Sequence, residues 1–274
     1  MGDPKMNIVE YRIILPTTVP KYIIGNLFMC VKRTRETASN GEGIEIIKNE
    51  PYTNENESGQ FTHKIFHFKS QVPGAIRWAV PDKYLHIHEK SHNAYPHFHT
   101  LYESPGMKED FYLLVESMHH TYVKGEEIND NALNLPPEEL KIRKVVNLDI
   151  IDGKPEAKPE LDLHGYICPE GGILEKLEGS PDKAKEDKLP KWIEKYNGDL
   201  MVCIKVVKFK FKWFGLQSLV QNHALNNVFP NTFLESYRAV LKWAKDWFPL
   251  TIEDIRKMEA ELQNEQKSTT FETD

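Results

Sequence analysis

The sequence predicts an α+β fold, in which strands of an antiparallel sheet come first and helices come last. Short runs rich in β-branched and aromatic residues follow one another closely through the first half of the chain, and prolines separate them. The clearest helical patterns lie in the last 60 or so of the 274 residues. Segregated strands and helices are typical of the α+β class rather than of alternating α/β folds.

The individual elements are predicted from the spacing of apolar residues and from the prolines and glycines that separate the apolar runs. The apolar segment 21–31 is ambiguous between strand and helix, and we favour a helix. One domain is expected over 1–264, with a long surface loop at 152–188, which is rich in Gly, Pro, Lys and Glu, and a polar tail at 265–274. Strands are predicted at 8–15, 44–48, 61–69, 75–80, 84–89, 96–102, 110–119, 142–151 and 200–213, and helices at 215–228, 231–248 and 252–264.

Composition and charge exclude several classes of function. The net charge of −6 argues against nucleic acid as a partner. Three cysteines, with no CxxC pair, favour a reducing cytoplasm over a disulfide framework. No apolar stretch reaches the roughly 20 residues that a spanning helix needs. Any contact with a membrane is therefore expected to be transient.

The strand at 200–213 places a charge among apolar side chains. Alternate residues point to opposite faces, so Lys205 shares a face with Cys203 and Phe209. The opposite face carries Lys208, Lys210 and Lys212 and is expected to be solvated. A lone inward ammonium is costly unless it is paired. Lys205 therefore has two interpretations: a structural salt bridge, or a contact with an anionic ligand group such as phosphate.

The same alternation recurs in other predicted strands. Polar or charged side chains share a face with apolar neighbours at Thr62, Lys64, Glu89, Thr100 and Ser117. Each one alone is explained by a satisfied hydroxyl or an ion pair. Together they indicate a mostly apolar cavity with a few convergent polar groups, which is how ligand sites are built.

The last predicted helix adds one more candidate. Thr251 and Asp254 have the spacing of an N-terminal capping box. Glu259 lies four residues after Ile255 and therefore borders the apolar stripe of this helix. Its carboxylate is either solvated at the boundary or accepts hydrogen bonds from ligand hydroxyls.

Paired histidines suggest an alternative, a metal-binding enzyme with a β fold. His86 with His88, and His97 with His99, each put two imidazoles on one strand face. Glu89 lies on the opposite face from His86 and His88, so it is not expected to complete such a site. We expect these histidines on the outer face of the sheet, with no metal bound. No GxSxG or Cys/His nucleophile signature supports a hydrolase.

Several longer runs occur in the order, and roughly at the spacing, of one known family. They are EYRIILP at 10–16, GEGIE at 41–45, NEPY at 49–52, GQFTHK at 59–64, HEK at 88–90, NAYP at 93–96, MKEDF at 107–111, VKFKFKWFGLQ at 207–217, and Leu250-Thr251 with Asp254-Ile255-Arg256. The chain resembles the phosphatidylinositol transfer proteins over nearly its whole length, apart from about 120–188.

The resemblance implies a START-like fold, with a curved antiparallel sheet and helices around one lipid-sized cavity. It implies a monomeric, non-enzymatic carrier that needs no cofactor and exchanges phosphatidylinositol against phosphatidylcholine between membranes. A START-like carrier of another lipid, such as a sterol, is the alternative. Four residues that match the inositol-contacting positions of the family argue against a sterol: Thr62, Lys64, Asn93 and Glu259.

The resemblance also implies roles for further residues. The phosphate-side and glycerol-side positions fall on Asn26, Thr100, Ser117 and Lys205, although the family commonly has Gln at 26 and Thr at 117. Glu89 and Phe98 fall beside the head group, and some members have cysteine where this chain has Phe98. The Trp-Trp pair with which the family docks on membranes corresponds to Trp213 and Phe214.

Overall fold

The fold comes from a computed structural model, which describes residues 6–37, 43–67, 86–154, 156–174 and 188–267. The predicted strand at 75–80 and the end of the tail, from residue 268, lie outside the described residues. No helix in the described ranges is both long enough and apolar enough to cross a bilayer.

Eight of the described strands form one large sheet with the order β2-β3-β4-β5-β6-β10-β1-β7. Every pairing is antiparallel except that of β1 with β7, which is parallel. The α+β prediction is therefore confirmed, with one parallel strand added at an edge. The strands are β1 (Asn7–Leu15), β2 (Gly43–Thr53), β3 (Ser58–His67), β4 (His86–Ala94), β5 (His97–Glu103), β6 (Phe111–Thr121), β7 (Lys144–Leu148) and β10 (Met201–Phe211), with β8 (Tyr166–Ile167) and β9 (Ile173–Leu174) in a separate hairpin.

The helices pack mainly against the inner face of the sheet. The ambiguous segment 21–31 is helical, as predicted, and the capping box of Thr251 and Asp254 is formed. The predicted helix at 231–248 is interrupted at Trp243, and residues 224–228 form a π-helical turn. The helices are α1 (Val19–Thr37), α2 (Pro137–Ile142), α3 (Trp192–Lys195), α4 (Gln217–His223), α5 (Phe229–Lys242), α6 (Ala244–Trp247) and α7 (Ile252–Gln266).

Part of the outer face is covered, against expectation. Ile8 and Val206 on that face pack against Leu135, in the segment that returns from β6 to β7. This return also explains why β7 runs parallel to β1. The ammonium of Lys208 lies 2.6 Å from Glu139 on α2. The prediction that the lysine face of β10 is solvated is therefore wrong at Lys208, because the return segment crosses it.

Within the segment 152–188, which was predicted as a surface loop, residues 156–174 are anchored to the core, and residues 175–187 lie outside the described residues. Leu161, Leu163, Cys168 and Leu174 are all buried. The carboxylate of Glu170 accepts hydrogen bonds from the backbone N–H and the hydroxyl of Thr18, both at 3.1 Å, just before α1. The polar composition of the segment concealed these isolated anchors.

Candidate functional site

Polar side chains stand in neighbouring cross-strand rows on the inner face of the sheet. In one row Thr62 pairs with Ser91, and Ser91 pairs with Thr100. Directly opposed residues in an antiparallel sheet share a face, so these groups point to the same interior. The next row consists of Asn93, Phe98, Ser117 and Lys205.

An ion pair occupies the adjoining row. The ammonium of Lys64 lies 3.0 Å from the carboxylate of Glu89, and the two side chains are only 19% and 11% exposed. Burial acts to lower the pKa of Lys64. The negative charges of Glu89 and, less strongly, Glu259 act to raise it, and the resulting pKa lies above its usual value. Burial, reinforced by Glu89, raises the pKa of Tyr102 in the same row. Lys64 is therefore held as a cation inside the protein.

Ser91 connects the two predicted groups of ligand-binding residues. Its hydroxyl lies 2.8 Å from the side-chain oxygen of Asn93 and 2.8 Å from the hydroxyl of Thr100. Ser91 was not among the predicted site residues. The signal was present, since Ser91 lies between Glu89 and Asn93 on the same face of β4.

Helix α1 supplies the opposite wall of the site. Tyr22, Asn26 and Cys30 are spaced four residues apart and so lie on one face of the helix. The side-chain oxygen of Asn26 accepts a hydrogen bond of 3.3 Å from the hydroxyl of Tyr22, and its amide nitrogen donates one of 3.3 Å to Tyr95. Asn26 thus joins α1 to the turn between β4 and β5.

The inward lysine of β10 is held without an acidic partner. Lys205 donates a hydrogen bond of 3.0 Å to the hydroxyl of Ser117. Its ammonium also lies over the rings of Phe233 and Tyr237, at 5.4 and 6.0 Å from their centroids. Within the described ranges no carboxylate lies within 4 Å of it. Of the two interpretations of Lys205, this geometry favours the ligand contact over the structural salt bridge.

Helix α7 brings Glu259 to the same region. Its carboxylate accepts a hydrogen bond of 2.6 Å from Arg256, a partner that sequence reasoning did not assign. Glu259 is not a solvated boundary residue, since its side chain is 13% exposed. Burial raises the pKa of the nearby Cys30; Lys64 and Lys205 act to lower it, and Glu89 and Glu259 act to raise it. Charged groups from β3, β4, β10 and α7 therefore lie within electrostatic range of one thiol on α1.

Cys30 and Tyr102 lie among desolvated groups. Burial raises the pKa of both side chains. Each nevertheless keeps part of its surface uncovered, so neither is closely packed on all sides.

A second polar cluster, which the sequence did not predict, lies one row beyond Lys205. Cys203 pairs across the strands with His119, and the hydroxyl of Tyr237 donates to its sulfur at 3.0 Å. Burial works to raise the pKa of Cys203, but His119 and Lys205 lower it to about 7. The Nδ1–H of His119 donates to the carbonyl of Pro96 at 3.0 Å. In the sequence, Cys203 was indicated only by its position two residues before Lys205, which puts the two side chains on the same face of the strand.

The pair assigned to membrane docking lies just beyond the end of β10. Phe214 is 84% exposed, whereas Trp213 is partly covered and stacks on Phe211 at 6.4 Å between ring centroids. The backbone N–H of Lys212 donates to the carbonyl of Asp110 at 2.7 Å, which joins this end to the turn between β5 and β6. Trp213 thus packs against the end of the strand, whereas Phe214 projects into solvent.

The paired histidines lie on the outer face and contact one another across strands. The Nε2 of His63 lies 3.0 Å from the Nδ1 of His88, while the neighbouring Glu89 points inward. The described part of the chain holds no group of three or more His, Cys, Asp or Glu side chains arranged for a metal ion.

A sheet and helices that surround an apolar interior with a few inward hydrogen-bonding groups define a protein that encloses an amphiphilic ligand. The comparisons with known proteins identify its kind. The family described as phosphatidylinositol transfer protein matches residues 6–264, so the chain belongs to this family. Its members are lipid transfer proteins and not enzymes, and the fold is the START-like α+β fold that the resemblance implied.

Relatives of known name agree with this assignment. The chain is 38% identical to phosphatidylinositol transfer protein 2 of Dictyostelium discoideum, over 95% of each chain. It is 36% identical to the phosphatidylinositol transfer protein beta isoform of Rattus norvegicus, over 94% of this chain and 92% of the relative. The human beta isoform is 35% identical over the same shares.

Proposed function

We propose that this protein carries one molecule of phosphatidylinositol through the cytoplasm as a monomer and exchanges it for phosphatidylcholine at membranes. The observation that carries this proposal is the set of polar side chains in neighbouring rows on the inner face of the sheet, with Lys64 and Glu89 in one row and Lys205 in another. Anionic hydrogen-bond acceptors and cationic donors lie there together. An inositol phosphate head group can bind both, because its hydroxyls donate and accept and its phosphate accepts.

The inositol ring is the part of the ligand that the first group of residues suits. Each free ring hydroxyl both donates and accepts, Lys64 only donates, and ionised Glu259 only accepts. Asn93 offers both functions. The hydroxyl oxygen of Thr62 is buried and has no hydrogen-bond partner among the described residues. A ring hydroxyl at Thr62 would remove the cost of that unpaired group.

The phosphate belongs beside the second group of residues. Lys205 supplies the charge, and the hydroxyls of Ser117 and Thr100 and the amide of Asn26 supply further hydrogen bonds. Lys205 and Ser117 already contact each other at 3.0 Å. A phosphate there would give the buried ammonium the anion that its surroundings lack.

Phosphatidylcholine shares the phosphate but has no ring hydroxyls. A site that binds hydroxyls penalises a ligand without them, because buried polar groups are then left unpaired. The carboxylate of Glu89 and the ring of Phe98 are the nearby groups that suit a quaternary ammonium. Phe98 packs edge-on against Tyr95 at 4.3 Å between centroids, which fixes its orientation.

The acyl chains determine how the ligand leaves. Two chains hold roughly 30 methylenes at about 0.8 kcal/mol each, so exposing them to water costs on the order of 20–25 kcal/mol. Release must therefore occur at a bilayer. Phe214, next to the partly covered Trp213, provides an exposed aromatic group of the kind that enters membrane interfaces.

The head-group assignment is tested by lipid transfer between vesicles. Thr62→Ala should lower transfer of labelled phosphatidylinositol at least tenfold and leave phosphatidylcholine transfer within about twofold, since the hydroxyl of Thr62 has no partner among the described residues and its loss removes a bond to the ring only. Thr232→Ala, at an exposed site on α5, is the matched control. Equal losses for both lipids would refute the assignment, as would a sterol found by native mass spectrometry of the purified protein.

The docking assignment needs a separate test. Trp213→Ala with Phe214→Ala should sharply reduce transfer of both lipids and leave the circular dichroism spectrum and the bound lipid unchanged. Val123→Ala removes an exposed apolar side chain beyond the opposite end of β6 and serves as the control. Unchanged transfer in the double variant would exclude these residues from docking.

A further inference from the structure

A second pocket lies mainly on the outer face of the sheet, at the ends of β4, β5 and β6. Its volume is about 570 Å³, within the range of sites for small ligands. His88 and Lys90 line it from the outer face, because they alternate with the inward Glu89, whereas Tyr102 and Phe111 reach it from the inner face at the end of the sheet. Its described lining consists of His88, Lys90, Leu101, Tyr102, Glu103, Ser104, Pro105, Lys108, Glu109, Phe111 and Tyr112.

The pocket presents charges of both signs beside aromatic rings. On its floor Lys90 and Glu103 form an ion pair of 2.5 Å whose side chains are 43% and 45% exposed. Lys108 and Glu109 are exposed on the turn that forms its edge. Tyr112 on β6 lines the pocket from the neighbouring strand. Such a lining matches a ligand that itself carries both a cation and an anion.

The edge of the pocket is held in place by its own backbone. The N–H groups of Met107 and Lys108 donate to the carbonyl of Ser104 at 3.0 and 2.9 Å. Lys108 has a φ of +50°, in the left-handed region that a non-glycine residue seldom adopts. The hydroxyl of Ser104 is buried and lacks a hydrogen-bond partner in the described part of the protein. The turn is thus held by backbone hydrogen bonds, and the hydroxyl of Ser104 remains without a hydrogen-bond partner among the described residues.

The pocket opens at the end of the sheet that carries Phe214. The turn that forms its edge ends at Asp110, whose carbonyl accepts the 2.7 Å hydrogen bond from Lys212, two residues before Phe214. If Phe214 enters a bilayer, as the proposed function requires, this turn lies at the level of the lipid head groups.

We propose that this outer pocket binds the head group of a zwitterionic phospholipid of the phosphocholine type that remains in the bilayer during docking. Lys108 and the buried hydroxyl of Ser104 face its phosphate. Tyr112 and Glu109 face its quaternary ammonium, by cation–π and charge attraction. This lipid is separate from the cargo in the cavity, and its role is to hold the docked protein while the cargo exchanges. The inference rests on the proposed docking surface.

The test begins with a soluble probe, glycerophosphocholine, added to the full-length, lipid-loaded protein. Saturable shifts of the amide resonances of residues 103–112 are expected in nuclear magnetic resonance spectra. Lys108→Glu combined with Tyr112→Ala should weaken this binding at least fivefold. Lys257→Glu, on the exposed face of α7, is the matched control and should bind as the wild type does.

Vesicles then test the membrane role. Tyr112→Ala alone, which changes no charge, should lose affinity for phosphatidylcholine vesicles and keep its affinity for phosphatidylglycerol vesicles. Absence of saturable shifts, or equal losses on both kinds of vesicle, would overturn the proposal. Failure of the proposed function has a different signature, because protein purified without a phospholipid would still show the shifts with glycerophosphocholine.

Discussion

The ammonium of Lys64 lies 3.0 Å from the carboxylate of Glu89, across β3 and β4 on the inner face of the sheet. Both side chains are mostly buried, so each charge depends on the other for much of its stabilisation. Because the pair also borders the region assigned to the inositol, the ligand must bind around an ion pair that the fold needs.

Removing only one member of this pair should destabilise the protein. Lys64→Met leaves the carboxylate of Glu89 without its cation, and we expect the free energy of unfolding to fall by roughly 2–4 kcal/mol. Urea denaturation of the lipid-loaded protein measures the change. Lys64→Met with Glu89→Leu removes both charges and should recover most of the loss. A double variant as unstable as the single one would show that the pair does not act as a unit.

The hydroxyl of Ser91 offers a test of the network between the two groups of ligand-binding residues. Ser91→Ala removes contacts of 2.8 Å to both Asn93 and Thr100. We expect the affinity for phosphatidylinositol to fall about fivefold to tenfold, which corresponds to roughly 1 kcal/mol, the usual net value of one hydrogen bond. This affinity is measured by competition between phosphatidylinositol and phosphatidylcholine for the protein in mixed vesicles. Ser236→Ala, whose hydroxyl bonds only within α5 at the surface, should leave the affinity unchanged.

The inner face of the sheet could be predicted because strand alternation is a local property. A period of two places Thr62 with Lys64, and Cys203 with Lys205, on common faces whatever the strands pair with. The structure confirms the α+β class, the helix at 21–31 and the capping box at Thr251. Each of these features depends on residues that are close together in the sequence.

The remaining features depend on contacts between distant segments. Nothing near Lys208 indicates that Glu139 covers it, because that contact requires the return from β6 to β7 to cross the sheet. Cys30 comes near these side chains only because α1 packs against β2 and β6. Ser91 was missed for a simpler reason: a serine between polar neighbours is inconspicuous until its two partners are known.

Gln266 attaches the end of α7 to the edge strand β2. Its side-chain oxygen accepts a hydrogen bond of 2.9 Å from the N–H of Ile46, and its amide donates one of 2.6 Å to the carbonyl of Ile44. Gln266→Leu leaves both backbone groups unpaired, and we expect a loss of about 1–3 kcal/mol. Faster hydrogen exchange at 43–48 and 252–266 should accompany it. Glu261→Gln, an exposed change on α7, is the control, and equal exchange in both variants would exclude the attachment.

The pair of His63 and His88 should make stability depend on pH. Burial lowers the pKa of both histidines from 6.5. The pKa of His63 is lowered further by His88, Lys90 and Lys48 and is raised by Glu103. The pKa of His88 is lowered further by Lys90 and His86 and is raised by Glu103 and Glu45. Because the pKa values of these histidines are lower in the folded protein, the unfolded chain takes up protons at a higher pH than the folded protein does as the pH falls.

The stabilisation from neutral His63 and His88 is therefore fully present above pH 6.5 and is lost as the pH falls through that value and then through the lower folded values. Urea denaturation between pH 7.5 and about pH 5 should show a steeper decline for the wild type than for His63→Gln with His88→Gln. His223→Gln, at an exposed site in α4, should decline as steeply as the wild type. If the double variant instead matched the wild type at every pH, this pair would not be the source of the acid sensitivity.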